Sequence, residues 1–407
     1  MSKKRSICII GLGYIGLPTA AILAARGYEV HGVDVKQEAV KKINNGEAHI
    51  FEPGLDACLK AAIESGLLSA STEIVPCDVY MICVPTPFKG GDGIPEPDLG
   101  YIEAATKSIA PYVKAGDLVI LESTSPVGAT ELVEQLLSEG GVATSEISIA
   151  YCPERVLPGN IMTELIENDR IVGGINQSST DAIVEFYEGF VSGSVVPTSA
   201  RTAEMCKLTE NSFRDVNIAF ANELSVICER EGIDVWELIG LANRHPRVNV
   251  LSPGTGVGGH CIAVDPWFIV SRNPEDAKLI KTARDVNDEK PELVVQKIAS
   301  VAKEKSKVLG RPARIGCLGL AFKPDIDDLR ESPALQVTRR LMKLDYEVVA
   351  AEPNVEAVEG INLVDANTVL STADVIAVLV AHKQFKSEPM KRKLQALAGL
   401  DFCGAFV

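Results

Sequence analysis

Cys261 stands in Gly256-Val257-Gly258-Gly259-His260-Cys261-Ile262-Ala263-Val264-Asp265-Pro266-Trp267, one thiol on a glycine-rich backbone with a carboxylate four residues downstream. An ionised thiol is a covalent nucleophile, and the Asp265 carboxylate could take a proton from the water that frees a product. His260 or a helix N-terminus would favour the thiolate. Three glycines, with Pro253-Gly254 before them, permit backbone geometries closed to other residues and let a ligand approach closely. The plainer alternative is a buried cysteine packed as a small hydrophobe. Upstream, Lys207, Asn211 and Arg214 fall at i, i+4 and i+7 and share one face of any helix that carries them, although a solvated polar stripe has the same spacing. Between these two groups, Ala242-Asn243-Arg244-His245-Pro246-Arg247-Val248-Asn249 has the cations and amides to grip a phosphate or a sugar.

These groups need a scaffold, and its first part is legible from residue 6. Ser6 to Ile10 is a short apolar strand, followed by Gly11-Leu12-Gly13-Tyr14-Ile15-Gly16, a helix-like run to Arg26, a second strand from Glu29 to Val33, and Asp34. In that context the first glycine makes the tight turn, the second lets backbone N–H groups reach a pyrophosphate, and the third lets helix pack on strand. Asp34 would accept from the adenosine ribose and repel a 2′-phosphate, so NAD is expected rather than NADP. Strands at 79–84 and 118–122 end in Pro85-Thr86-Pro87 and Ser123-Thr124-Ser125-Pro126-Val127-Gly128, where ligands of such sheets bind. Thr86 and Thr124 are candidate contacts there, with ordinary turn chemistry as the alternative. Residues 89–97 read as an exposed loop, Ile147 to Ala150 as a strand leading to Glu154, and 171–174 and 194–196 as closing strands.

From about Ser199 the apolar period changes: Met205, Leu208, Val216, Phe220, Leu224 and Ile227 recur at helical spacing until Glu231-Gly232. Roughly thirty residues span about 45 Å, enough to bridge two domains. A second helical region runs to about Lys307, and Leu309-Gly310-Arg311-Pro312 links it to another α/β unit: strand 314–318, helix 334–344, strands 347–351 and 375–380. This half has Gly316-Cys317-Leu318-Gly319 but no complete fingerprint, so it reads as a different nucleotide or sugar module with Lys323 and Arg330 at its strand-end loop. The expected fold is α/β, with two Rossmann-like domains joined by a long central helix. The expected domains are 1–198 for NAD, 199–308 helical, and 309–407 for a different nucleotide or sugar.

At 407 residues, 46% hydrophobic and 23% charged, the chain reads as globular, and a net charge of −15 argues against a general nucleic-acid or membrane-surface binder. Ten cysteines with no C-x-x-C pair fit reduced thiols and no metal site, and no long apolar run or cleavage signal appears, so a cytoplasmic protein is expected.

In this order, Gly11-x-Gly13-Tyr14-x-Gly16-Leu17-Pro18, Val84-Pro85-Thr86-Pro87, Ser123-Thr124-x-Pro126-x-Gly128, Cys152-Pro153-Glu154-Arg155, Glu204-x-x-Lys207-x-x-x-Asn211, Gly258-Gly259-His260-Cys261-x-x-x-Asp265-Pro266 and Phe322-Lys323 with Arg330-Glu331-Ser332-Pro333 resemble the UDP-glucose/GDP-mannose dehydrogenases over nearly the whole chain. The resemblance implies an NAD-dependent four-electron oxidation of a nucleotide-sugar C6 alcohol to a carboxylate. It implies Cys261 as nucleophile, Lys207 and Asn211 around the reacting oxygen, Asp265 and Thr124 holding the catalytic water, and Glu154 in proton handling. Cofactor contacts are expected from Gly11, Gly13, Tyr14, Ile15, Gly16, Asp34, Thr86, Thr124 and Arg330. Substrate contacts are expected from Glu154, Arg155, Lys207, Asn211, Arg214, Arg244, His245, Arg247, Gly258 and Lys323. The implied substrate is a UDP-N-acetyl-mannosamine-type nucleotide sugar used for surface polysaccharide, with UDP-N-acetylglucosamine and UDP-glucose as alternatives, and the implied assembly is a homodimer. Two departures stand out: Pro158 occupies the place of a second carboxylate found in many relatives, and residues 400–404 match the usual close of the sugar-binding domain only loosely. The competing readings are a two-electron dehydrogenase of the β-hydroxyacid type, which needs neither Cys261 nor a second α/β half, and a non-catalytic NAD-responsive protein.

Overall fold

The computed structural model describes residues 4–89 and 93–407, and the chain forms two compact units, Met1–Glu210 and Asn211–Val407. In the first, strands β1 (Ser6–Ile10), β2 (Glu29–Val33), β3 (Leu68–Ser71), β4 (Val79–Ile82), β7 (Leu118–Leu121), β8 (Ser148–Tyr151), β9 (Arg170–Gly174) and β10 (Val195–Ser199) form one sheet of order β10-β9-β8-β7-β4-β1-β2-β3. The pairs are parallel except β8 with β9, which run antiparallel. Strands β1, β4 and β7 are near-continuous apolar runs because helices cover both faces of such a sheet. The order reverses between β1 and β4, the switch point at which dinucleotides bind. Between β4 and β7, β5 (Phe88–Lys89) and β6 (Glu96–Pro97) pair as an antiparallel ribbon at the two ends of the segment expected to be a loop, whose residues 90–92 lie outside the described residues. β3 was not foreseen; Leu-Ser-Ala-Ser alternates so weakly that only its place on the sheet edge defines it.

The long helix spans Ala200–Glu231, and the division between units falls inside it, so Lys207 belongs to the first unit and Asn211 to the second. In the second unit, helices Val235–Ala242, Asp265–Arg272 and Lys278–Leu309 precede a parallel sheet of β11 (Ile315–Leu318), β12 (Val348–Ala351), β13 (Val375–Val378) and β14 (Leu400–Asp401), in the order β12-β11-β13-β14. Its core, including Ile298, Ile315, Cys317, Val337 and Leu341, is fully buried. The α/β class with two Rossmann-like sheets therefore stands as expected.

Candidate functional site

In the first unit the fingerprint is shaped for a dinucleotide. Gly11 has φ +93°, and a Cβ there would lie 2.5 Å from the Cys83 carbonyl oxygen; a Cβ at Gly16 would lie 1.8 Å from the Gly11 oxygen, so neither position admits a side chain. Gly13, by contrast, is exposed with open space where its Cβ would be. That is where a diphosphate must come close to the backbone. The helix Gly16–Ala25 starts without any side-chain cap from Ile15, so its positive dipole end is left for an anion. Tyr14 is partly exposed beside it. Asp34 accepts from the Leu12 N–H at 3.0 Å and the Lys36 N–H at 2.9 Å, which fixes a half-exposed carboxylate. Among the described residues no group of His, Cys, Asp and Glu could hold a metal.

At the strand ends Thr86 Oγ1 donates to the Thr124 carbonyl at 2.7 Å, so the two predicted threonines meet. Sequence reasoning gave Glu204 no role, yet it fixes this region: its buried carboxylate accepts from the N–H groups of Gly128 and Thr130, at 2.6 and 2.8 Å, and from the Thr130 hydroxyl at 2.6 Å. It thereby caps the helix Ala129–Glu139 and ties the root of the long helix to the Ser123–Gly128 loop. Burial raises its pKa, and the Thr130 and Gly128 bonds oppose the rise. Glu154 is also buried, with one oxygen 2.8 Å from Arg170 Nη1 and the other accepting from the Arg155 N–H at 2.6 Å. Arg155 reaches Glu210 at 2.8 Å. Nearby, Glu122 accepts from Tyr187 Oη and from the Cys83 thiol, and burial pushes its carboxyl pKa up.

In the second unit Cys261 is exposed, which sets aside the reading of a buried packing cysteine. Its carbonyl accepts from the N–H groups of Val264 and Asp265, so the thiol precedes a tight turn into helix Asp265–Arg272. Asp265 opens that helix, where the dipole favours an anion, and its Oδ2 accepts from Asn211 Nδ2 at 2.5 Å with both side chains buried. The glycines are required: a Cβ on Gly258 would lie 2.4 Å from the Glu331 carbonyl oxygen, and one on Gly259, at φ +82°, 2.9 Å from the Phe322 ring. Glu331 itself sits at φ +49°, a conformation costly for a non-glycine residue, and the following Ser332 caps helix Pro333–Lys343. His260 is exposed, and its pKa is lowered by partial desolvation and by Arg330.

The loop after β11 presents Lys323, half buried, with its amine 5.9 Å from the centre of the Phe322 ring, and Arg330, which meets Asp328 at 2.6 Å. Two residues not foreseen hold this loop. Glu352, just past β12, accepts from the N–H groups of Leu320, Ala321 and Asn354 and lies 3.0 Å from His382 Nε2, while His382 Nδ1 accepts from the Asp325 N–H at 2.9 Å. Both are buried. Desolvation would raise the Glu352 pKa, but the bonds from His382, Leu320 and Asn354 hold it below the usual carboxylate value. Arg244, His245 and Arg247 lie exposed on a turn that Asn243 closes through two hydrogen bonds to the Val250 backbone. Arg214 is exposed and Lys207 half buried on the long helix.

Three family models match in sequence order: the NAD binding domain of the UDP-glucose/GDP-mannose dehydrogenase family over residues 5–191, its central domain over 201–289 and its UDP binding domain over 316–404. The chain is 54% identical over 404 residues to a UDP-N-acetyl-D-mannosamine dehydrogenase of Campylobacter jejuni, covering 95% of this chain and 97% of the relative. It is 52% identical over 415 aligned positions to an NDP-N-acetyl-D-galactosaminuronic acid dehydrogenase of Ralstonia nicotianae, covering 98% and 96%. Among solved structures, the UDP-D-ManNAc dehydrogenase of Pyrococcus horikoshii superposes with a TM-score of 0.88 at 38% identity, covering 98% of this chain and 96% of that one.

Proposed function

The chain belongs to the UDP-glucose/GDP-mannose dehydrogenase family, and we propose that it oxidises the C6 alcohol of UDP-N-acetyl-D-mannosamine to the carboxylate, for surface polysaccharide. The observation that carries the chemistry is the exposed Cys261 thiol four residues from an Asp265 carboxylate that Asn211 holds at 2.5 Å. The substrate rests on the Campylobacter jejuni relative. NAD, when bound, supplies two electrons' worth of oxidising power per molecule, so the four-electron oxidation takes two NAD and yields two NADH. It fits the crowded Gly11 and Gly16, the open Gly13 and the uncapped helix start. Gly11 to Gly16 hold its diphosphate and Asp34 its ribose, with Thr86 and Thr124 at the strand ends and Arg330 as a further contact.

Lys207 and Asn211 stabilise negative charge on the C6 oxygen, an interaction of about 3–4 kcal/mol per donor in a dry site. Once C6 is an aldehyde, the Cys261 thiolate adds to it as a thiohemiacetal, whose oxidation leaves a thioester. Asp265 then takes the proton from an attacking water, which Thr124 helps to hold, and the acid departs as the thiol is restored. Glu154 serves as a fixed carboxylate paired to Arg170. Lys323, Arg155, Arg214, Arg244, His245 and Arg247 are the cationic groups for the diphosphate and sugar, and Gly258 gives close backbone approach. The functional parts are 1–198, 199–308 and 309–407. The two-electron reading leaves the UDP binding domain match without a purpose.

A homodimer is supported by Phe213, Phe220 and Ile227, which are 67%, 53% and 46% exposed at seven-residue spacing on one stripe of the long helix. Among the described residues no helix is long and apolar enough to cross a membrane, and no cysteine is in a disulfide, which suits a cytoplasmic enzyme. A second substrate, the N-acetylgalactosamine nucleotide, is favoured by the Ralstonia nicotianae relative. The test is kcat/KM and NADH formed per sugar with UDP-N-acetylmannosamine, UDP-N-acetylgalactosamine, UDP-N-acetylglucosamine and UDP-glucose side by side. Two NADH and an acid, with UDP-N-acetylmannosamine preferred, fit the proposal; preference for another sugar moves the substrate, and one NADH with a carbonyl product removes the four-electron mechanism.

A further inference from the structure

A buried polar seam runs through the second unit to the root of the thiol loop. Asn222 Oδ1 accepts from the Gly254 N–H at 2.8 Å, and Asn222 Nδ2 donates to Asn287 Oδ1 at 2.8 Å. Asn287 Nδ2 donates in turn to Asp215 Oδ1 at 2.8 Å, and Arg284 Nη1 meets the same oxygen at 2.6 Å. Asp215, Asn222, Asn287 and Arg284 are each at most 1% exposed. Their donors and acceptors follow in one direction: Arg284 fixes the Asp215 carboxylate, the carboxylate orients the Asn287 amide, and that amide leaves Asn222 a single orientation, oxygen toward Gly254. Asn211, Asp215 and Asn222 lie at i, i+4 and i+11, which is one face of the long helix. That face therefore grips the chain on both sides of Cys261, through Asn222 at Gly254 before it and through Asn211 at Asp265 after it.

We infer that Asn222, oriented by Asn287 and Asp215, is a positioning residue for the Cys261 thiol and governs the second oxidation rather than the first. This rests on the reading of Cys261 as the acyl-carrying nucleophile. The thiol must reach the C6 carbon before the aldehyde diffuses away, and a displacement of about 1 Å can cost on the order of a hundredfold in such a step. Oxidation of the alcohol does not use the thiol. Loss of the Gly254 anchor should therefore divide the two steps.

The experiment compares the parental enzyme with Asn222→Ala and Asn222→Asp in two assays. One counts NADH per sugar with hydroxylamine present and identifies products by mass; the other follows the rate and pH dependence of Cys261 alkylation by iodoacetamide, with no substrate. For Asn222→Ala, NADH per sugar falls from two toward one, the aldehyde appears as its oxime, and the alkylation pH profile moves, while NAD affinity changes less than about twofold. Asn222→Asp keeps the acceptor for Gly254 but faces Asn287 Oδ1 with a second acceptor, so it lies between the two. If both variants retain the parental NADH stoichiometry and alkylation profile, or lose both oxidation steps in equal proportion to folded protein, the inference is overturned. A parental enzyme that gives one NADH overturns the four-electron reading instead, and the alkylation profiles still decide whether Asn222 sets the thiol.

Discussion

The two Rossmann-like sheets place the same kind of residue at the same point and use it differently. In each, the first strand is followed by a glycine of positive φ, Gly11 at +93° and Gly319 at +91°, whose N–H donates to the carbonyl of the last residue of the neighbouring strand, Val33 or Ala351. In each, the residue just past that neighbouring strand is an acid that accepts from the N–H of the residue after the glycine, Asp34 from Leu12 at 3.0 Å and Glu352 from Leu320 at 2.7 Å. Asp34 stays half exposed and can still meet a ligand. Glu352 is buried, takes two further backbone N–H groups and is closed off by His382. Where the first half continues with Gly13 and Gly16, the second has Ala321 and Pro324. One corner is built to read a dinucleotide; the other is sealed, and holds a longer loop whose Phe322 and Glu331 press on the thiol loop.

The largest way to break this contrast is Gly16→Ala, because the new carbon meets backbone rather than a movable side chain. NAD affinity should fall about 10³-fold, roughly 4 kcal/mol, in a fluorescence titration. Next is His382→Ala, which leaves the Glu352 carboxylate buried without its partner. The second unit should lose about 3–5 kcal/mol in urea unfolding, with UDP-sugar binding weakened and NAD affinity nearly parental. Asp34→Ala should do the converse: NAD binds about tenfold to a hundredfold more weakly, about 1.4–3 kcal/mol, with little change in unfolding midpoint. Equal effects of His382→Ala and Asp34→Ala on NAD affinity would erase the distinction.

The smallest effect is on pH dependence. The Glu352 pKa is held below its ordinary 4.5, so its stabilisation is present above that value and is lost as pH falls through the lower folded value. Glu352→Gln should flatten the acid-side loss of stability of the second unit, read from urea midpoints below pH 4.5. An unchanged slope would mean that Glu352 is not ionised in its corner.

The sequence made the first corner readable because its chemistry is local: Gly11 to Gly16 and Asp34 fall within one strand-helix-strand unit, and the long helix declares itself through its apolar period to within a residue of Ala200–Glu231. Asn211 and Asp265 were named from motif types, but their hydrogen bond joins positions 54 residues apart. Glu204, Glu352, His382 and Asn222 went unassigned because, apart from the Glu352 bond to Asn354, their side chains act on partners at least 28 residues away, and polar residues there carry no periodic signature. One signal was available for Glu352: in each half an acid directly follows the second strand, Val33-Asp34 and Ala351-Glu352, but it stands 23 residues after Gly11 and 33 after Gly319, so the longer loop of the second half hides the likeness. Phe322 against Gly259 left no such trace, since the demand for glycine arises from a ring 63 positions away.

The most direct test of the account is the mass of the Cys261 peptide after Asp265→Asn protein, mixed with NAD and UDP-N-acetylmannosamine, is quenched in acid. The account predicts a uronyl thioester on Cys261, because the oxidations proceed while water attack is slowed, and no adduct once Cys261→Ala is added. An unmodified Cys261, with uronic acid still formed at the parental rate by Cys261→Ala, would contradict it.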